Sequence, residues 1–300
     1  MNSHRRGHTL EYDVIVVGSG ASGAVACQVL VERGYAVVCI EKGDYNKEDY
    51  PTDHFGWESA KSTAAPNPNI RKNPADYFVD TSDSPIDIAN FNGVGGSTVL
   101  FSRHYPRFHQ SDFNVKTIDG VGYDWPFSYE DLSPYYRANE IFLGVAGLEG
   151  DPMYPDKLTH LSKPVPLGLT GGKLATTMND LGWHWWPSYS AIKTNFLAHD
   201  SRKICTNIGQ CNIGCPIGAK SSADLTFLAD ATSKGLHLLI NTTVLRVTLD
   251  HNGSASGVIC KDHTGSIINV KARSAVMLAG NALGTLRILS ESSSSENYLG

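Results

Sequence analysis

The strongest constraint on this chain lies near its beginning. Asp13-Val14-Ile15-Val16-Val17 is a β-branched run of the kind buried on both faces of a parallel sheet. Gly18 punctuates it, residues 21–33 follow with good helix-forming character, and Gly34 stands where a helix-ending glycine belongs. Ala36-Val37-Val38-Cys39-Ile40 reads as a second buried strand, ending at Glu41. Such a βαβ unit requires a right-handed crossover and therefore a parallel sheet. The fold class that follows is α/β.

The turn between strand and helix reads Gly18-Ser19-Gly20-Ala21-Ser22-Gly23, a G-x-G-x-x-G pattern. In a chain with 29 glycines the hexapeptide alone says little, but its place after a buried strand and at the opening of a helix makes it specific. Gly18 permits the tight turn, Gly20 lets backbone approach a pyrophosphate, and Gly23 lets the helix pack closely on the sheet. The pyrophosphate meets the N–H groups and positive dipole end of the helix. Glu41, 21 residues after Gly20, would accept bonds from ribose hydroxyls and repel a 2′-phosphate, with Lys42 beside it. This loop does not separate a nicotinamide dinucleotide from FAD.

Length and composition narrow the remaining classes. Three hundred residues allow two domains, or one large α/β domain with an insertion. With 41% apolar residues the chain can build a core, while its 18% charged residues fall below the usual quarter, as expected where a large cofactor is enclosed. A net charge of −5 argues against a nucleic-acid partner, and no apolar run is long enough to cross a bilayer. The basic, polar start has no apolar secretory region, so a cytoplasmic location is expected, with export on a signal-bearing partner subunit as the alternative. Residues 44–87 hold five prolines and read as a long loop wrapping a ligand. Ser128 is a fitting N-cap for a helix over residues 129–144. Residues 152–187, broken by prolines and carrying Trp183, Trp185 and Trp186, read as part of a second subdomain. From residue 238 the pattern has period two, with turns at His251-Asn252-Gly253-Ser254 and His263-Thr264-Gly265-Ser266. Ala275-Val276-Met277-Leu278-Ala279 is expected as a last buried strand before Gly280, with a helix following and a frayed serine-rich end at residues 290–295.

A second glycine-rich loop, Asn92-Gly93-Val94-Gly95-Gly96-Ser97-Thr98, decides between the cofactors. With the βαβ opening it resembles the glucose–methanol–choline family of FAD-dependent oxidoreductases, nearest the branch of sugar and alcohol dehydrogenases. Further agreement lies in Gly122-Tyr123-Asp124-Trp125-Pro126, Tyr129-Glu130-Asp131-Leu132, Cys215-Pro216-Ile217-Gly218-Ala219-Lys220 and Ala279-Gly280-Asn281-Ala282-Leu283-Gly284-Thr285, in the family's order. The resemblance implies a Rossmann-like FAD-binding domain with a parallel sheet and β-meander, formed by residues 10–145 and 200–300. A partial α+β substrate-binding subdomain would occupy 146–199. It implies that Gly95 and Gly96 bring backbone against the flavin and pyrophosphate, and that Ser97 and Thr98 offer hydroxyls and N–H groups. Val244 would pair its backbone with adenine, and Gly280 would close the flavin site. Leu100, where some relatives carry a flavin-linking His, implies non-covalent FAD.

Six cysteines are present. Cys27, Cys39 and Cys260, within strands or helix, read as buried inert thiols. Cys205, Cys211 and Cys215 form C-x5-C-x3-C in a glycine-rich loop, so three thiolates can converge. Some sugar dehydrogenases that the chain resembles carry a [3Fe–4S] cluster at such a segment, and other relatives keep this loop as packed thiols or a disulfide. Zinc is disfavoured for want of a fourth ligand.

The implied function is oxidation of the CH–OH group of an alcohol, sugar or polyol by hydride transfer to flavin N5. Electrons would then pass to a quinone, cytochrome or oxygen. The family's catalytic His, paired with His or Asn, falls in its C-terminal part, so the chain reads as an N-terminal fragment, inactive alone, with no catalytic residue assigned. The alternative is a non-catalytic flavin-binding chain that ends at Gly300.

Overall fold

The structure is a computed structural model that describes residues 10–45, 82–85, 90–196, 200–212 and 214–293. In chain order its regular elements are β1 (Leu10–Val17), α1 (Ala21–Glu32), β2 (Val37–Ile40), α2 (Val115–Asp119), α3 (Tyr129–Leu143), α4 (Gly168–Asp180) and α5 (Phe227–Ser233). They continue with β3 (His237–Leu239), β4 (Thr242–Leu249), β5 (Ala255–Asp262), β6 (Ile267–Leu278) and α6 (Asn281–Ser292). Most of the proposed wrapping loop over 44–87 and the serine-rich end beyond residue 293 lie outside the described residues.

The chain divides into two compact units, the second being essentially Phe101–Ser221. The first contains one six-stranded sheet in the order β3-β2-β1-β6-β5-β4. β1 pairs in parallel with β2 and β6, and β2 with β3, while β5 pairs antiparallel with β4 and β6. Val14, Ile15, Val16 and Val17 of β1 and all of β2 are buried, as a both-faces-covered parallel pair demands. The core joins Ile15, Val17, Val38 and Ile40 to Val247, Val258, Val270 and Ile288, so strands of both halves share it. Residue 34 closes α1 as expected, with φ +84.

Two expectations for this unit are corrected. The runs at 267–272 and 275–279, expected as separate strands, form one twelve-residue β6. Between Tyr12 and Val14 the register steps by three residues on β6, Ala272 to Ala275, so Arg273 and Ser274 are absorbed as a bulge rather than a break. The stretch 275–278 is not buried on both faces either: Val276 and Leu278 pack on the core, whereas Met277 is 36% exposed. Strand alternation wins over uniform apolarity here.

The second unit differs from the expected boundaries at 145 and 200. Residues 101–145 and 200–221 fold with 146–199 because main-chain bonds tie them together. Ala146 and Ser190 exchange N–H···O bonds of 2.8 Å, Ala191 N–H reaches Arg103 O at 2.8 Å, and Ser221 N–H reaches Ala191 O at 2.9 Å. Side chains complete the tie. Arg107 grips Glu140 of α3 through Nε and Nη2 at 2.7 and 2.6 Å, and its Nη1 meets Asp156 at 2.6 Å. Ser128 caps α3 reciprocally with Asp131, as its sequence predicts. α4 was not anticipated, because Gly168, Gly171 and Gly172 lower helix propensity by about 1 kcal/mol each.

Candidate functional site

The site grows from the end of β1. Gly18 has φ +97, and a Cβ there would stand 2.6 Å from Ala279 O at the end of β6. Only a glycine at position 18 lets these two strand ends approach, since its Cβ would also stand 3.1 Å from Gly280 Cα. A Cβ on Gly23 would collide with Gly18 O, which fixes how closely α1 leaves the turn. Gly20 is the N-cap of α1 and has no side-chain cap bond, nor is any acidic residue in the first turn. Among the described residues no side-chain cap bond takes up the start of α1, an anion-binding arrangement.

The second glycine loop closes on the first. Gly95 and Gly96 have φ +91 and +54, and a Cβ on Gly96 would meet Gly20 Cα at 2.9 Å. One side chain links three distant parts of the sequence. Ser19, fully buried, donates from Oγ to Glu41 Oε2 at 2.6 Å and accepts from Gly95 N–H at 3.1 Å. Its own N–H also donates to Glu41 Oε2, at 3.0 Å. Gly43 N–H serves Glu41 Oε1 at 2.9 Å. Burial pushes the Glu41 carboxyl above its usual range, and the bonds from Gly43 and Ser19 pull part of the way back.

Around these residues lies a cleft of about 280 Å³. All the residues nominated from sequence line it except Gly23 and Gly95: Gly18, Ser19, Gly20, Ala21, Ser22, Glu41, Lys42, Gly96, Ser97, Thr98, Val244 and Gly280. Gly23 and Gly95 act behind the wall, the former by close packing, the latter by its bond to Ser19. The Thr98 hydroxyl is committed to protein as well, donating to Gly95 O at 2.6 Å and accepting from Ala223 N–H at 2.9 Å. Sequence reasoning missed Asn90, Thr242, Asn281 and Arg287 on the same wall. Asn281 holds φ +56, donates to Asn90 Oδ1 at 2.7 Å and accepts from Gly284 N–H at 3.0 Å, pinning the start of α6. Its place after Gly280 was the available signal.

These residues fit an extended dinucleotide of the FAD type: a glycine cradle that a Cβ would fill, a helix start without a side-chain cap, and a buried carboxylate some 21 residues along.

The cysteine loop belongs to the second unit and does not fit the [3Fe–4S] expectation. Cys205, Cys211, Cys215 and Ile217 pack on Ala146, Ile192 and Ala219, around a cavity of about 10 Å³, room for one water at most. Cys205 accepts Asn207 N–H at 3.3 Å, Cys215 accepts Ala219 N–H at 3.3 Å, and Cys211 accepts from Arg103 at 3.6 Å. Among the described residues no group of three or more His, Cys, Asp or Glu is placed to hold a metal ion. Burial raises the Cys205 thiol above its usual pKa, as for a packed thiol. Lys220 of the same motif is fully buried and donates to Phe101 O at 2.9 Å and Cys211 O at 2.7 Å, so it braces the loop. Of the tryptophans, Trp183 is 63% exposed, and Trp186 donates to Leu148 O at 2.8 Å.

Comparison with known proteins places this geometry. The chain is 36% identical over 283 residues to 2-methyl-1,2-propanediol dehydrogenase of Mycolicibacterium austroafricanum, covering 92% of this chain and 50% of that protein. It is 30% identical to 6'''-hydroxyparomomycin C oxidase of Streptomyces lividus, covering 93% and 50%, and 26% identical to the fructose dehydrogenase large subunit of Gluconobacter japonicus, covering 94% and 54%. The chain thus spans about half the length of the curated relatives it matches. Formate oxidase of Aspergillus oryzae RIB40, studied for its FAD modification, shares the fold at a TM-score of 0.51 and 17% identity, over 90% of this chain and 45% of that one. The profile of the GMC oxidoreductase family matches residues 12–299, and with the paired glycine loops, the buried carboxylate and the mixed sheet in place, this chain belongs to that family.

Proposed function

We propose that this chain supplies the FAD-holding half of an oxidoreductase acting on the CH–OH group of an alcohol, sugar or polyol. The observation that carries the reading is the junction of the two glycine loops, where Ser19 binds both Glu41 and Gly95 at the foot of the cleft. Bound FAD would supply the acceptor for the hydride that leaves the alcohol carbon, at flavin N5. The first N–H groups of α1, with Gly18, Gly20 and Gly96, would hold the pyrophosphate, and Glu41 the ribose hydroxyls. Val244 and Thr242 would border the adenine, and Gly280 the far end of the cofactor. Attachment would be non-covalent, since Leu100 offers no nucleophile. Relatives named as dehydrogenases of a diol and of fructose support an alcohol or sugar as substrate, and the electron acceptor would be a quinone, a cytochrome or oxygen. No acid–base residue is assigned among the described residues.

The test is spectroscopic. Purified full-length protein should show flavin absorbance, release FAD on denaturation, and bleach anaerobically when a panel of diols, sugars and primary alcohols is added. A colourless protein that takes up no FAD in calorimetry overturns the reading.

A further inference from the structure

Arg287 is a cationic side chain of the cleft wall to which the proposed function gives no task. It stands in the second turn of α6, and its Nη2 donates to Val244 O at 2.6 Å. Val244 lies on β4, the edge strand of the sheet, and pairing with β5 slips between Val244 and Arg246. A slipped register at a sheet edge leaves main-chain groups without ladder partners. Beside that slip the guanidinium reaches the Val244 carbonyl from another element. The same end of the cleft holds Glu41 and Thr242, joined by Thr242 N–H to Glu41 O at 3.0 Å. Arg287 thus meets the wall through Val244, two residues along β4 from the Thr242 that bonds Glu41.

We infer that Arg287 is the positioning residue for the adenine half of the cofactor, a role that rests on the FAD reading above. Bonded to Val244 O, the planar cation fixes the strand edge against which a purine lies, and gives the cleft a flat, weakly hydrated surface for an aromatic ring. A guanidinium suits this task better than an ammonium, because one N–H can hold the carbonyl while the plane stays in the wall. The site so built selects a flavin that carries an adenine over one that does not.

The experiment compares FAD with FMN, which has flavin and phosphate but no adenine. Apoprotein of the full-length enzyme is titrated with each by flavin fluorescence, for the native protein, Arg287→Met and Arg287→Lys, with the thermal midpoint of each apoprotein recorded. Expected for Arg287→Met is FAD affinity lowered by roughly threefold to thirtyfold, FMN affinity held, an apoprotein midpoint lowered only by the lost bond to Val244 O, and partial recovery of FAD affinity with Arg287→Lys. Loss of FAD and FMN affinity by one common factor, or of neither, overturns the inference. Failure of the native protein to bind FAD at all would instead bring down the proposed function itself.

Discussion

Glu41 in the first unit and Glu140 in the second are both buried carboxylates, at 6% and 3% exposure, yet their surroundings divide them. Glu140 receives Arg107 through two bonds of 2.7 and 2.6 Å and His160 Nε2 at 2.6 Å. Its charge is answered by the Arg107 guanidinium, and the cluster extends through Arg107 to Asp156, Tyr129 and Ser133. Glu41 is held by N–H and O–H groups of Ser19, Lys42 and Gly43, at the wall of a cleft. A carboxylate with its partners complete is a bolt in the fold. One held in place by neutral donors beside open space keeps accepting capacity for a ligand, at the expense of an elevated pKa.

The comparison breaks most sharply at Arg107. Arg107→Ala leaves Glu140 and Asp156 without their shared cation, and about 3–5 kcal/mol of unfolding free energy should be lost in urea titration. An unchanged midpoint would mean that this cluster is not the bolt described. Gly18→Ala, at φ +97 and 2.6 Å from Ala279 O, should lose about 3 kcal/mol of stability together with most FAD binding, read by calorimetry. Glu41→Gln sharpens the contrast from the other side. FAD affinity should fall roughly tenfold to a hundredfold, because the amide NH2 of the variant faces an N–H donor where a carboxylate oxygen accepts one.

The sign of the pH effect follows from the direction of the shift. A raised carboxyl pKa means the folded state keeps its proton longer than the unfolded chain, so Glu41 withdraws stability as pH rises from its ordinary value of 4.5 through its own higher pKa. Native apoprotein should therefore lose stability across that window and Glu41→Gln should lose less, as urea midpoints taken at successive pH values would show. Ser19→Ala should cost about 1–3 kcal/mol, because Gly95 N–H is left buried without its acceptor. It should also move the acid limb of FAD binding to higher pH, since the hydroxyl no longer helps hold the Glu41 charge. The smallest effect belongs to a site far from either glutamate's chemistry. Ser128→Ala removes the N-cap of α3 and should cost about 1 kcal/mol, with FAD affinity untouched.

Much of the first unit was legible because its signals are local. Four apolar residues before Gly18, the helix between Gly20 and Gly34, and Glu41 at the end of β2 are all adjacent in sequence, and each follows from backbone sterics or burial. The turns at Gly253 and Gly265 were legible for the same reason, with φ +80 and +86 behind Asp250 and Asp262, whose carboxylates accept the turn N–H groups. The second unit was read less well. α4 was hidden by its own glycines, and the boundaries at 100 and 221 depend on bonds such as Ala191 to Arg103 that join residues far apart in sequence. The cysteine spacing pointed to a metal cluster, but whether three sulfurs surround a void or pack against Ala146 and Ile192 is a matter of volume, which spacing does not contain.

From sequence alone came the βαβ opening, the two glycine loops and the identity of the acidic residue, because glycine's missing Cβ and the alternation of apolar residues leave their mark at each position. The tertiary structure decided what those pieces do to one another: that Ser19 is the tie between Glu41 and Gly95, that β6 runs unbroken through a bulge, and that Arg287 reaches Val244. Each of these is a contact between residues separated by anything from 22 to 260 positions. A hydrogen bond or a void exists only once the chain has closed on itself, so no local pattern could announce it.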